Sequence, residues 1–334
     1  MKTSVTVMLV VAVLLCFFAE SAEAQANCDS GGSVAAVGYY KPPIGVTCAP
    51  WGNGVGIQLC SGKNTNCAPA GSGGEGGGGC CVAGKPIALT TGNTYIEQTD
   101  VRIPGLSGGL GLVRTWISRW PSSQSSFQVG LFGPNWRSTY EERVFLGNDG
   151  YLRYALGDGS FWSFGLGGPG WSVVAPRNAG ATIVQGTNYW TLTLKNGEQR
   201  RFDLNSGSLI AIIDRNGNPT QLTYDGLNRL VTVTDPASRH LTFTYASNTS
   251  FLITGVSSDV GLSLSYTYDS QNRLSQVTKP DQTTVTFQYD TNSMITAVLD
   301  SNGKVLESHT YDNSHRGLTS SRAAGVEAVT VSYH

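Results

Sequence analysis

The chain has 334 residues, a formal net charge of −1, 13% charged residues and 42 glycines. The near-zero balance excludes an electrostatic nucleic-acid binder, which needs a basic face. Low charge with 40% hydrophobic residues excludes a disordered chain and suits a β-rich protein of two or three modules.

Met1 to Ala24 reads as a secretory signal peptide. Lys2 gives the positive start, Val5 to Phe18 the apolar core, and Ala22-Glu23-Ala24 the small-residue cleavage site. The apolar core is short for a membrane span, and no later run is apolar enough to cross one. The mature protein is therefore expected to be secreted or periplasmic, in contact with the cell envelope.

Residues 25–83 form a Cys/Gly-rich segment. Cys28, Cys48, Cys60, Cys67, Cys80 and Cys81 make an even count in an exported chain, which reads as a disulfide framework of undetermined connectivity. No metal or cofactor is expected, because no C-x-x-C pair occurs and every His lies at or beyond His240. The Gly71 to Gly79 run reads as a loop and has no phosphate-binding pattern.

Residues 84–200 are expected to form a β domain. Asp149-Gly150, Asp158-Gly159 and Asn196-Gly197 lie between alternating runs, which is a hairpin signal. All seven Trp fall between Trp51 and Trp190. Trp116, Trp120 and Trp136 are candidates for a glycan-stacking surface, although aromatic residues more often supply core. Gly105-Leu106-Ser107-Gly108-Gly109 has the G-x-S-x-G form of a nucleophile elbow, but Pro104 before it and glycines after it are poor strand and helix material, so a turn is expected. Adjacent Glu141 and Glu142 point to opposite faces of a strand and cannot work as a catalytic pair. No catalytic residue is assigned. Asn248-Thr249-Ser250 is a glycosylation sequon if the source glycosylates secreted proteins.

Residues 201–334 repeat one motif. Its anchors are Phe202-Asp203, Tyr224-Asp225, Tyr245-Ala246, Tyr268-Asp269, Tyr289-Asp290 and Tyr311-Asp312, at steps of 22, 21, 23, 21 and 22 residues, with Tyr333 a further 22 on. Leu241-x-Phe243-x-Tyr245, Leu264-x-Tyr266-x-Tyr268 and Val285-x-Phe287-x-Tyr289 alternate as strands with one apolar face. Turn residues follow, and Arg229, Arg273 and Arg316 recur four places after the Asp. The Asp residues are expected to close turns, and the Arg residues to ladder with them between neighbouring units. A lone hairpin is marginal in water, so the units are expected to stack into one sheet. The strand Val329 to Tyr333 is expected to leave an open edge able to pair with another chain.

This repeat resembles the Tyr-Asp (YD) repeats of the Rhs proteins. The segments Gly84 to Ile87, Thr91 to Tyr95, Leu112 to Ser118 and Phe132 to Tyr140 resemble the domain of unknown function that heads many of them. The resemblance implies an all-β fold of stacked hairpins, an open part of a cage. It also implies a non-enzymatic shell for envelope contact or toxin encapsulation, whose partners are further shell or toxin segments. Some relatives have been linked to cell-surface carbohydrate, which gives the alternative of a carbohydrate-binding module. The closing core and toxin of complete Rhs proteins find no counterpart in the motifs here.

Overall fold

The structure is a computed structural model. It describes residues 87–88, 91–120, 128–167, 170–176, 179–323 and 325–333, and the backbone of the short strands Glu23–Cys28, Gly32–Val37, Thr47–Pro50, Gln58–Ser61 and Val82–Ala83. The signal-peptide core, Cys67, Cys80, Cys81 and the side chains of Cys28, Cys48 and Cys60 lie outside the described residues.

Nineteen strands, from Arg143–Leu146 to Val326–Tyr333, follow one another as a continuous antiparallel meander. The sheet begins well upstream of the repeat segment, because the Asp149-Gly150 and Asp158-Gly159 turns already join its first hairpins. Strand alternation then buries one side. Leu222, Leu241, Phe243, Leu264, Tyr266, Val285 and Phe287 all face a single core, while Thr223, Thr244, Ser265 and Thr267 are exposed.

Each repeat hairpin turns in the same way. In the Tyr224 unit the Asp225 N–H donates to Arg229 O (3.0 Å) and the Asn228 N–H to Asp225 O (2.9 Å). Asn228 is left-handed at φ 59°, and the register shifts by one residue at Thr223/Tyr224. This is a type I turn closed by a bulge. Asn272, Ser293 and His315 occupy the same left-handed place at φ 59°, 65° and 61°. The conformation is tolerated by Asn and costly for most other L-residues. His315→Asn should therefore raise stability by a few tenths to about 1 kcal/mol, read as a shift in the urea midpoint at unchanged slope. No gain would mean that the His315 turn is relaxed.

A second, three-stranded sheet covers the apolar face. Its strands are Tyr95–Ile103, Leu110–Ile117 and Trp136–Ser138, with the middle strand paired to both others. It shares one core cluster with the repeats. We refer to it as the plug.

The expected open edge is corrected. The backbone of Val326–Tyr333 pairs with Gly32–Val37, with Val34 opposite Tyr333 and Ala36 opposite Val331. The chain's own upstream segment satisfies groups that would otherwise recruit a foreign strand. The opposite edge is also covered, since the Val144 N–H donates to Gly207 O (2.9 Å) and Arg143 bridges Ser208. Among the described residues no helix is long and apolar enough to cross a membrane.

Candidate functional site

The repeat anchors form a chain of interlocks along one rim of the sheet. The Asp225 Oδ1 accepts the backbone N–H groups of Leu227 (2.9 Å) and Arg229 (3.0 Å), while its Oδ2 accepts the Arg229 Nε (2.7 Å). Asp269 holds Arg273, and Asp312 holds Arg316, with the same three bonds. Asp290 makes the two backbone bonds alone, because Met294 stands in the Arg place. Asp203 closes its turn through Asn205 and Ser206. Around Ala246 the turn is longer, and Ser247 Oγ accepts the Ser250 N–H (3.2 Å) instead.

The ion pairs thus lie within one unit, which differs from the expected ladder between neighbours. A four-residue separation around a tight turn places the two side chains together locally. Coupling between units is carried by Arg and Tyr. The Arg229 guanidinium lies over the Tyr245 ring at 4.6 Å, Arg273 over Tyr289 at 4.6 Å, and Arg316 over Tyr333 at 4.1 Å. The covered ring then donates its hydroxyl back to the residue after that Arg. Tyr245 reaches Leu230 O (2.8 Å), Tyr289 reaches Leu274 O (2.8 Å) and Tyr333 reaches Gly317 O (2.7 Å). Tyr224, Tyr268 and Tyr311 make the same backward bond to Leu209, Ile253 and Ile295. Phe202 lacks the hydroxyl and is fully buried beside Tyr154 at 5.8 Å.

Electrostatics agree with a structural role. Burial would raise the Asp269 carboxyl, but the Arg273 N–H and guanidinium outweigh it and hold it below the usual carboxylate range. Asp312 is lowered in the same way by Arg316. Burial pushes the Tyr333 phenol up to about 12 and raises Tyr224, Tyr245, Tyr268, Tyr289 and Tyr311 too, so all stay protonated donors. A carboxyl whose folded value lies below its unfolded value stabilises the fold above the ordinary range near pH 4, and that contribution is lost as pH falls through the depressed value. Asp269→Asn should accordingly flatten the acid limb of the stability curve. An unchanged limb in circular dichroism titrations would remove Asp269 from the clasp.

The plug meets the repeats ring by ring. Tyr140 sits edge-on to Phe243, Phe132 to Tyr266, Trp136 to Phe287 and Trp116 to Tyr311, at 6.2, 4.9, 5.1 and 6.2 Å. This corrects the glycan-stacking reading for Trp116 and Trp136. Trp116 and Trp136 are 0% exposed, because they fill the space between plug and sheet. Trp120 is half-buried, with Arg137 over its ring at 4.4 Å and Phe161 at its edge.

Residues 104–109 are gripped by repeat turns. The Arg239 Nη2 donates to Pro104 O (2.8 Å), and the Ser107 N–H reaches the Asp214 carboxylate. A Cβ on Gly105 would collide with Arg239, and one on Gly109 with Ile103 O. The glycines of the G-x-S-x-G string thus permit close packing of a latch. Ser107 is left-handed at φ 55°, and its Oγ is buried without a hydrogen-bond partner, so no base is in hydrogen-bond reach. Glu141 and Glu142 are both partly buried, and desolvation raises their carboxyls. Glu141 accepts Leu131 N–H (2.8 Å) and Ser138 Oγ (2.8 Å), and Glu142 accepts Tyr154 Oη (2.7 Å) beside Arg200. Among the described residues no group of three His, Cys, Asp or Glu is placed to hold a metal.

Sequence reasoning missed one site. Asp100 and Arg114 of the plug form a buried ion pair, and the Tyr266 hydroxyl donates to Asp100 Oδ2 (2.7 Å). The Arg114 guanidinium also lies 4.7 to 5.9 Å from the centres of the Trp136, Phe132, Tyr266 and Phe287 rings. The one signal was Arg114 within Leu110–Ile117, a strand that is otherwise largely core; Asp100 lies among other polar residues in Tyr95–Ile103.

Two family models match this chain: Domain of unknown function (DUF6531) over residues 84–164 and Teneurin YD-shell over residues 189–318. Curated relatives include the tRNA nuclease WapA of Bacillus subtilis strain 168 and the tRNA3(Ser)-specific nuclease WapA of Bacillus spizizenii. Each is 28% identical over 140 residues, covering 42% of this chain and 6% of the relative. Solved structures with some likeness include the complex TcdB2-TccC3-TEV, with 12% identity, TM-score 0.27, and coverage of 73% of this chain and 15% of that one. A porin-like protein from Bacteroides uniformis has 11% identity, TM-score 0.27, and coverage of 72% and 96%. The chain thus spans a small part of the curated relatives' length. A YD-shell match laid on the Tyr-Asp units, downstream of the matching head domain, supports the resemblance of this chain to the Rhs/YD-repeat proteins.

Proposed function

We propose that this chain is an exported, non-enzymatic wall segment of a β-sheet shell, serving cell-envelope contact or the enclosure of a toxin segment. The observation that carries the reading is the interlock. Every anchor Tyr from Tyr224 to Tyr333 ties its unit to the one before, so the repeats act as one continuous wall and not as separate modules. The plug covers the apolar face of that wall, and Asp100, Arg114 and Tyr266 between them are paired with each other. A wall that joins further shell or toxin segments would do so as a part, in keeping with the small share of its relatives that it spans. The test is cross-linking in the envelope of cells expressing the protein, followed by electron microscopy of the recovered particles. The expected result is this chain as one wall of a larger β-shell. Recovery as a free monomer with a measurable turnover of any substrate would overturn the reading.

A further inference from the structure

The covered face of the repeats carries an apolar column from the Tyr245 unit to the Tyr289 unit, and the Tyr311 unit breaks it. Four and two places before Tyr245, Tyr268 and Tyr289 stand Leu241 and Phe243, then Leu264 and Tyr266, then Val285 and Phe287. In the next unit the same two positions hold Glu307 and His309, which are 5% and 2% exposed. Neither His309 ring nitrogen has a hydrogen-bond partner, and the nearest carboxylate oxygen, on Glu307, is 3.6 Å from Nε2. Phe243, Tyr266 and Phe287 each meet a plug ring edge-on, whereas here the plug's Trp116 meets Tyr311 instead. A second irregularity lies at the same seam. The pairings of Leu230–Thr234, Ile253–Ser258 and Leu274–Thr278 with the strand that follows each keep a constant register. The pairing of Ile295–Leu299 with Val305–Tyr311 slips at Val298/Leu299, the first such slip along the repeats, and that of Gly317–Arg322 with Val326–Tyr333 slips again at Ser320/Arg322.

A buried imidazole whose ring nitrogens make no hydrogen bond opposes packing, where a Phe would favour it. A slipped register loosens the backbone ladder at the same place. We infer that the wall has a built-in opening seam between Ile295–Leu299 and Val305–Tyr311, so that Val305–Tyr311, Gly317–Arg322 and Val326–Tyr333 part from the plug as one unit before the rest unfolds. Cooperative opening of contiguous strands is the usual form of such sub-global motion. Opening exposes the facing edges of Ile295–Leu299 and Val305–Tyr311, where a strand of a continuing shell would pair. That last step rests on the shell reading, whereas the seam does not.

Native-state hydrogen exchange on the full chain tests it. Amides of the three strands after the seam should exchange together, at least ten-fold faster than those of Ser263–Tyr268 and Thr284–Tyr289. The double variant Glu307→Val/His309→Phe restores the column and should reduce that difference at least ten-fold. Equal protection on both sides of the seam in the unaltered protein would overturn the inference, whether or not the variant folds. A difference that the folded double variant leaves unchanged would overturn it equally. Either result leaves the cross-linking test of the shell untouched.

Discussion

Arg114→Leu should cost about 3–5 kcal/mol of stability, because it strands Asp100 inside the protein. Asp100 is covered by the plug and takes the Arg114 Nε and Nη2 (the latter at 2.8 Å) with the Tyr266 hydroxyl. Removing the cation leaves a buried carboxylate with one phenol for company. The rings around the guanidinium add to the loss, since Trp136 at 4.7 Å and Phe132 at 5.3 Å stabilise a desolvated cation by about 1–2 kcal/mol. The joint replacement Asp100→Leu/Arg114→Leu/Tyr266→Phe should lose far less than the single changes sum to. It removes every polar group that burial penalises, and buried pairs of this kind often yield to apolar side chains at little cost. The measurement is a set of urea unfolding curves arranged as a double-mutant cycle. Strict additivity would show that the three residues do not act as a cluster. The cluster also explains why the plug stays seated, since Asp100 and Arg114 belong to the plug and Tyr266 to the wall.

Much of the wall was readable before any coordinates. Period-two alternation in Leu241 to Tyr245 and a constant anchor step leave few alternatives to stacked hairpins, because both are local properties of the chain. The turn chemistry is local too, as the Asp225 bonds to Leu227 and Arg229 span at most four residues. What crosses between units was not readable. Stacking of Arg229 on Tyr245 depends on how far neighbouring turns stand apart, which the twist of the sheet determines. The pairing of Gly32–Val37 with Val326–Tyr333 had no signature, because backbone hydrogen bonds carry none. The seam was visible as Glu307 and His309 in an apolar column, yet its meaning needed their burial. The tryptophans were the misleading feature. Their confinement to one part of the sequence looks like a surface patch, and a plug that must fill the hollow of a broad sheet concentrates large rings in the same way.

That distinction leads to the second large effect. Trp136→Ala should cost about 3–5 kcal/mol, the usual loss on emptying a large buried aromatic site. The ring is 0% exposed, lies 5.1 Å from Phe287, carries Arg114 over its face and donates its Nε1 to the Tyr289 hydroxyl at 3.5 Å. Its removal therefore loosens the Asp100–Arg114 cluster and the rim interlock at Tyr289 together. Trp120→Ala should cost less, about 1 kcal/mol, because the ring is only partly buried, at the border of a small cluster of Ala88, Tyr95 and Ile117 and under the Arg137 cation. A glycan-stacking platform predicts the reverse order, with stability largely indifferent to either change and polysaccharide retention abolished by both. Iodide quenching separates the two before any unfolding curve is taken, since rings packed in a core are shielded and rings on a binding face are not. Strong quenching of Trp116 and Trp136 in the folded protein would place them on a surface and dissolve the plug as described. Shielding, with the large loss confined to Trp136, would tie the stability of the wall to the plug, because the same ring that fills the plug's core also holds the repeat rim in register.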